Sequence, residues 1–267
     1  MNRRDFLYGA ITAAAVSQLG LTQSKTHDMG GFQHPMPERP EDILMLIYPG
    51  MTALDLIGPQ QVFGYVMGAK VHLVAKSKEV VVRDTGVGIL PTKTFADCPA
   101  APDILFVPGG GMGTVTLMND SETINFLIGR ANKANYVTSV CSGALVLGAA
   151  GLLRGYKATT HWAVRDVLPL LGAELAPGRV VQDRNRITSG GITAGIDFGL
   201  KIAAQLRGDD YARALELSLE YDPDPPFHSG SPQKAPANVL KSTQAMYDPL
   251  NDAARKAALE ARRKWPQ

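Results

Sequence analysis

Short apolar runs alternate with segments of helical spacing through most of this chain. The apolar runs have the continuous hydrophobicity of strands that are buried on both faces of a parallel sheet. They lie at residues 42–48, 71–75, 104–107, 135–140, 180–182 and 186–189. Helices are predicted at residues 54–67, 122–134, 163–171, 193–206 and 209–219, and a side ribbon at 80–82 and 88–90. This alternation predicts an α/β fold, a single doubly wound and mostly parallel sheet flanked by helices.

The predicted domain covers residues 41–221, and a proline-rich stretch ends it. The segment Tyr221-Asp-Pro-Asp-Pro-Pro-Phe227 stops the helical pattern, because proline has a fixed φ and no amide donor. We expect residues 222–267 to form a proline-rich arm and a C-terminal helix, packed on its own domain or on a second subunit. Residues 21–40 are polar and rich in Gly and Pro, which favours a flexible tether.

The first twenty residues resemble a twin-arginine (Tat) export signal. Arg3 and Arg4 precede Phe6-Leu7 and an apolar stretch at residues 8–16. Such a signal delivers folded proteins to the periplasm, so we expect a periplasmic protein; a cytoplasmic one follows if the arginine pair belongs to an ordinary amphipathic extension. No later segment approaches the length of a membrane-spanning helix, so we expect no membrane association beyond export.

Composition narrows the function classes. A hydrophobic fraction of 45% and a charged fraction of 19% are typical of a globular protein. The net charge of +2 is spread along the chain and gives no concentrated basic face, so we expect no nucleic-acid partner. The chain has two cysteines, Cys98 and Cys141. Tat substrates fold before export, in a compartment where disulfides are rare, so we expect two free thiols.

Cys141 is the strongest candidate for chemistry. A short β-branched strand runs directly into a helix of small residues at this position, which predicts the sharp corner called a nucleophile elbow. The amides and the positive end of the helix are expected to lower the pKa of the thiol and favour the thiolate. A buried structural cysteine is the alternative. The strand-to-helix position favours a catalytic role.

Two further segments lie where ligands bind in open α/β sheets, at the carboxyl ends of strands. A glycine turn at residues 109–111 follows one strand, and the amides of Gly110 and Gly111 can point at a developing anion, although a purely structural turn fits equally well. Asp55 opens the helix after the first strand, among apolar neighbours. Desolvation would raise its pKa and let it exchange a proton near neutrality; an ordinary helix cap is the alternative.

These pieces resemble the ThiJ/PfpI superfamily, which is related in fold to the class I glutamine amidotransferases. The resemblance covers roughly residues 40–220 and includes the segments 158–162 and 188–197. Two departures matter. Peptidase-like members carry a histidine after the cysteine, where this chain has Ser142, and no His-x-Glu pair follows as in the amidotransferases. Relatives place a histidine near the cysteine, which makes His161 a second-tier candidate beside its alternative as a structural residue.

A closer resemblance is to the isonitrile hydratases. It rests on the segments 136–143, 147–156 and 220–227 and on aspartate at position 55, where most relatives have glutamate. It implies cysteine-dependent hydration of R–N≡C to an N-substituted formamide through a thioimidate, without a metal or an organic cofactor. Cys141 would be the nucleophile and Asp55 the proton donor and acceptor, and Gly110, Gly111 and the Ser142 hydroxyl would position the polar intermediate. The partners implied are a small-molecule substrate and a second copy of the chain in a homodimer.

Two other functions remain open. A glyoxalase- or deglycase-type enzyme of the same superfamily would use the same cysteine and acid on dicarbonyl compounds. A non-enzymatic protein, a thiol-based redox sensor or a chaperone-like protein, would use a reactive exposed thiol without turnover.

Overall fold

A seven-stranded sheet forms the centre of the molecule. The computed structural model describes residues 26–29 and 32–265. The strands are β1 Thr26–Met29, β2 Phe32–Pro35, β3 Glu41–Leu46, β4 Ala69–Ala75, β5 Val81–Val82, β6 Gly88–Ile89, β7 Lys93–Thr94, β8 Ile104–Val107, β9 Tyr136–Ser139, β10 Lys157–Ala158, β11 Glu174–Leu175, β12 Val180–Asp183 and β13 Arg186–Ser189. The sheet has the order β12-β13-β9-β8-β3-β4-β7, and only the β12–β13 pair is antiparallel. The predicted mostly parallel sheet is confirmed.

Helices cover this sheet in two packed groups. They are α1 Ala53–Phe63, α2 Met112–Met118, α3 Ser121–Ala131, α4 Gly143–Ala149, α5 Ala194–Arg207, α6 Asp209–Ser218 and α7 Ala237–Arg263, with a 3₁₀ segment at Trp162–Leu171. One group joins α1, α5 and α6, and the other joins α2, α3, α4, α7 and the 3₁₀ segment. Strand β8 is buried along its whole length, as its uninterrupted apolar sequence predicts.

The C-terminal helix α7 packs on its own domain. The side chains of Ala254, Ala257, Ala258 and Ala261 lie in the main hydrophobic core, because their small size lets the helix approach closely. Just beyond α7, the Trp265 Nε1 donates to the carbonyl of Ala149 at 3.0 Å. The core therefore extends past the boundary at residue 221 that the proline-rich segment suggested.

Several elements differ from the sequence-based expectations. The helix predicted at 163–171 is a 3₁₀ segment, because Pro169 interrupts its hydrogen bonding and Val164 has a non-helical φ of −126°. The helix predicted to reach residue 134 ends at Ala131. The predicted tether contains an antiparallel ribbon, in which β1 pairs with β2. The predicted export signal at residues 1–20 lies outside the described residues.

No helix among the described residues has both the length and the apolar character that crossing a bilayer requires.

Candidate active site

Cys141 lies at a sharp corner between β9 and α4. Its φ is +56°, a left-handed conformation that costs energy for a residue with a side chain. Three hydrogen bonds hold this corner: the Cys141 amide donates to the carbonyls of Ser189 at 3.1 Å and Gly190 at 3.0 Å. The Thr160 hydroxyl donates to the Cys141 carbonyl at 2.8 Å. The corner has the geometry expected of an elbow, but the side chain is buried, with only 7% of the residue exposed.

The glycine turn, Asp55 and the elbow pack closely together because Gly109 and Gly143 have no side chains. A Cβ on Gly143 would lie 2.2 Å from the carbonyl oxygen of Val107. A Cβ on Gly109 would lie 2.7 Å from both the Asp55 Oδ2 and the Ser142 amide nitrogen. Since real Cβ atoms do not approach other atoms so closely, any other residue at these two positions would push the elbow away from the turn.

Asp55 is fully buried on the first turn of α1 and bonds to the glycine turn. Its Oδ2 accepts a hydrogen bond from the Gly109 amide at 3.0 Å, and its buried Oδ1 has no nitrogen or oxygen donor among the described residues. Burial raises the pKa of Asp55 to about 7, while hydrogen bonds from the Cys141 thiol and the Gly109 amide act in the opposite direction. The carboxyl therefore contacts other segments and does not cap its own helix.

The thiol of Cys141 is protonated at neutral pH, contrary to the expectation of a thiolate. Burial is the largest cause that raises its pKa, and the negative charge of Asp55 raises it further. The backbone amides of Ile192 and Ser142 donate to the sulfur and oppose this shift without reversing it. The sequence suggests a helix amino terminus beside the sulfur, but the helix effect is smaller than the cost of ionising a buried group next to a carboxylate.

The glycine turn offers one free amide rather than the two predicted. The Gly110 amide donates to the Ser142 Oγ at 3.2 Å, so it is not available to a substrate. The Gly111 amide has no hydrogen-bond acceptor within residues 26–29 and 32–265, and no atom lies within 4 Å of a Cβ placed on Gly111. Gly111 therefore faces open space at the turn.

Ser142 lies beneath the turn, and its hydroxyl is already bonded. Only 3% of the residue is exposed, and its Oγ lies 2.8 Å from the Thr114 Oγ1. Together with the Gly110 contact, this bond occupies the hydroxyl that the sequence analysis assigned to the intermediate. Ser142 therefore joins the turn to helix α2, and its role toward the intermediate stays a prediction.

His161 lies beside Gly191, close to the segment that follows β13. Its Nδ1 accepts a hydrogen bond from the Ala163 amide at 3.3 Å, which leaves the proton on Nε2. Burial lowers its pKa, so the ring is neutral. The ring lies against Gly191, where a Cβ would come within 2.2 Å of the His161 Cδ2. Gly191 precedes Ile192, so the histidine packs against the segment whose amide bonds to the thiol.

Sequence reasoning missed four contributors to this site. Ile192 has a φ of +28° and donates its amide to Cys141, but an apolar residue gives no sign of such a role. The Gly109 amide binds Asp55, and the hydroxyls of Tyr48 and Thr114 lie beneath the turn. Tyr48 and Thr114 are far apart in sequence, and only the folded chain brings them to Ser142.

Other groups are less informative. Cys98 and Cys141 are both free thiols. Cys98 is buried, with its sulfur 3.7 Å from the Arg130 guanidinium. In the part of the chain that the structure describes, no group of three or more His, Cys, Asp or Glu side chains is placed to hold a metal ion.

Comparison with known proteins confirms the resemblance found in the sequence. The sequence model of the DJ-1/PfpI family matches residues 41–205. An isonitrile hydratase of Pseudomonas putida is 52% identical over 195 residues, which cover 73% of this chain and 85% of the relative. A glutathione-independent glyoxalase DJ-1 of Schizosaccharomyces pombe is 28% identical over 188 residues, 66% of this chain and 97% of that protein.

A solved structure shows the same fold over almost the whole molecule. A ThiJ/PfpI family protein from Pseudomonas syringae is 48% identical in sequence and superposes with a TM-score of 0.82. The alignment covers 91% of this chain and 97% of that one.

Proposed function

The chain belongs to the DJ-1/PfpI family, and we propose that it is a hydro-lyase that converts isonitriles to N-substituted formamides. The observation that carries this proposal is the buried Asp55 carboxyl, with its pKa raised to about 7, beside the thiol of Cys141. The 52% identical relative from Pseudomonas putida is named an isonitrile hydratase, which supports the same substrate class.

In the first step, a C–S bond and a C–H bond form at the isonitrile carbon. The Asp55 carboxylate takes the thiol proton, and the Cys141 sulfur bonds to the isonitrile carbon. The electron pair that this leaves on the same carbon takes the proton back from Asp55, which gives the thioimidate R–N=CH–S–Cys141. Because thiol and carboxyl are neighbours, nucleophile and proton reach the carbon from the same side.

In the second step, water releases the product. Asp55 takes a proton from water as the oxygen bonds to the thioimidate carbon, and it then passes that proton to the nitrogen. The resulting R–NH–CH(OH)–S–Cys141 collapses when the C–S bond breaks, the carbonyl forms and the hydroxyl proton returns through Asp55 to the sulfur. One isonitrile and one water have become one formamide, and both residues are restored. The free Gly111 amide is the donor we assign to the oxygen of this intermediate.

A glyoxalase-type activity is the second candidate, since a 28% identical relative is named a glyoxalase. Isomerisation of a dicarbonyl moves a proton between two adjacent carbons, whereas the Asp55–Cys141 pair is suited to deliver a nucleophile and a proton to a single atom. Incubation with an aryl isonitrile and, separately, with methylglyoxal distinguishes the two activities. We expect formamide from the first and no lactate from the second; lactate without formamide would overturn the proposal.

The raised pKa of the Cys141 thiol argues against the redox-sensor alternative. Peroxide sensing requires a thiol of low pKa that is ionised at neutral pH, whereas the pKa of this thiol is raised.

Localisation and assembly are further parts of the proposal. The Arg3-Arg4 pair ahead of an apolar run supports export to the periplasm. Exposed apolar side chains near the site support a homodimer: Leu54 and Ile57 flank Asp55 on α1, and Met112 follows the glycine turn.

A further inference from the structure

We propose that Tyr48 and Thr114 are positioning residues that hold the glycine turn in the form in which its Gly109 amide supports Asp55. They belong to a chain of hydrogen bonds, named here the turn relay. It runs from the Gly110 amide through the hydroxyls of Ser142, Thr114 and Tyr48 to the carbonyl of Pro108. The consequence for turnover rests on the proposed function, whereas the effect on the Asp55 carboxyl does not.

The relay has one direction that satisfies every contact. The Pro108 carbonyl can only accept, so the Tyr48 hydroxyl donates to it, at 2.9 Å. Tyr48 has a single proton, so at 3.3 Å the Thr114 hydroxyl donates to Tyr48. Thr114 is then the acceptor of the 2.8 Å bond from Ser142, whose Oγ accepts from the Gly110 amide at 3.2 Å.

Burial stabilises this order of donors and acceptors in the turn relay. Tyr48, Thr114 and Ser142 are each at most 4% exposed, so water does not replace a missing partner. Burial also raises the pKa of Tyr48 far above its ordinary value, which keeps its hydroxyl protonated and donating.

The relay anchors the turn on both sides of Gly109. Its last acceptor is Pro108 and its first donor is Gly110, the two chain neighbours of the residue that binds Asp55. The carbonyl of Gly109 accepts a hydrogen bond from the Thr52 amide at 2.8 Å. That bond does not fix the orientation of the Gly109 amide toward Asp55, which depends on Pro108 and Gly110. Loss of the relay therefore weakens the 3.0 Å bond between the Gly109 amide and the Asp55 Oδ2.

This predicts a shift in titration. The Gly109 bond favours the charged carboxylate, so weakening it raises the pKa of Asp55 above its value of about 7. One neutral hydrogen bond corresponds to a rise of about half a pH unit to one unit. If Tyr48 and Thr114 served only to fill space, their replacement would change the stability of the fold and leave the pKa of Asp55 unchanged.

Alkylation of Cys141 reports that titration without any isonitrile. Once the Asp55–Cys141 pair has lost one proton, the proton that remains can move to the carboxyl, which leaves a thiolate on Cys141. The rate of alkylation therefore rises with pH through the apparent pKa of the pair and then levels off. The experiment follows iodoacetamide modification of Cys141 against pH in the full-length protein, using peptide mass spectrometry to separate it from Cys98.

The variants are Thr114→Val and Tyr48→Phe, each of which removes a hydroxyl and keeps the shape. Thr114→Ser restores the hydroxyl. Thr116→Val is the matched control, because it lies on the same helix and, among the described residues, its hydroxyl bonds only to the Met112 carbonyl of its own helix. Asp55→Asn shows whether the inflection belongs to this carboxyl.

We expect Thr114→Val and Tyr48→Phe to move the inflection upward by about half a unit to one unit, Thr114→Ser to restore it and Thr116→Val to leave it unchanged. An unshifted inflection in Thr114→Val, or an equal shift in Thr116→Val, overturns the relay. An inflection that persists in Asp55→Asn overturns the carboxyl assignment itself. Shifts as expected in a protein that forms no formamide support the relay and reject isonitrile as the substrate.

Discussion

Asp55 and Cys141 affect each other's ionisation in opposite directions. The carboxylate raises the pKa of the buried thiol, while the thiol, by donating a hydrogen bond, partly offsets the rise that burial causes in the pKa of the carboxyl. Only one of the two groups therefore ionises near neutrality, and the remaining proton lies between them. A pair of this kind moves a proton without needing a pre-formed thiolate.

The first prediction concerns the pH dependence of turnover. The active form has Asp55 ionised and Cys141 protonated, so kcat/KM should rise with pH through about 7, the raised pKa of Asp55, and level off above it. Formamide production measured from about two pH units below to about two units above this pKa provides the test. A rate that is constant through neutrality would remove Asp55 from the proton transfers.

The second prediction is that Asp55 destabilises the folded protein at alkaline pH. The pKa of this carboxyl rises from 3.8 to about 7 on folding, so between these values the folded state holds a proton that the unfolded state has lost. The cost of ionising the group therefore grows through this window and is complete above pH 7. Asp55→Asn should raise the free energy of unfolding by about 1–4 kcal/mol at pH 8 and by less at pH 5.

Urea unfolding of wild type and variant at the two pH values measures this difference, and subtraction cancels the titration of groups that do not interact with Asp55. A gain of equal size at pH 8 and pH 5 would show that packing, and not ionisation, separates the two proteins.

The sequence predicts the framework because its signals are local. The apolar run of β8 identifies a strand buried on both faces, and the change from that strand to glycines identifies the turn. Helix α2 escaped notice because it is short, begins directly after the turn and lacks a polar cap. The 3₁₀ segment was expected to be an α-helix because its apolar spacing outweighed the single Pro169.

In the candidate active site too, the features with a local sequence signal were predicted and the others were not. Asp55 and Cys141 could be placed together because the carboxyl ends of parallel strands share one edge of the sheet. The prediction of a lowered pKa for the Cys141 thiol was wrong, because the burial that raises this pKa depends on segments distant in sequence. The pairing of the Gly110 amide with Ser142 likewise needs the elbow folded against the turn, which no local pattern reveals.

The third prediction is export. Replacement of both Arg3 and Arg4 by lysine should retain the protein in the cytoplasm, because twin-arginine recognition requires the arginine pair. Cell fractionation followed by immunodetection compares variant and wild type, with a known periplasmic protein as the fractionation control. Equal periplasmic amounts of both proteins would contradict the assignment.

The fourth prediction is a homodimer formed through the apolar surface near the site. Light scattering should give twice the mass of one chain, and Ile57→Asp should shift the particle toward the monomer, because it places a charge on that surface. Leu217→Asp is the matched control, since Leu217 is also exposed but lies on α6. A monomeric wild type, or equal dissociation by both variants, would contradict this interface.

The most direct test of the central claim is formamide production from an aryl isonitrile by Cys141→Ala, compared with Asp55→Asn, Ser142→Ala and wild type. Cys141→Ala should show no turnover, because no covalent adduct can form. Asp55→Asn should lose about 10²–10⁴-fold, the usual contribution of a proton-transferring group. Ser142→Ala should lose about twofold to tenfold, since it removes hydrogen bonds that order the turn. Formamide production by Cys141→Ala at the wild-type rate would contradict the account.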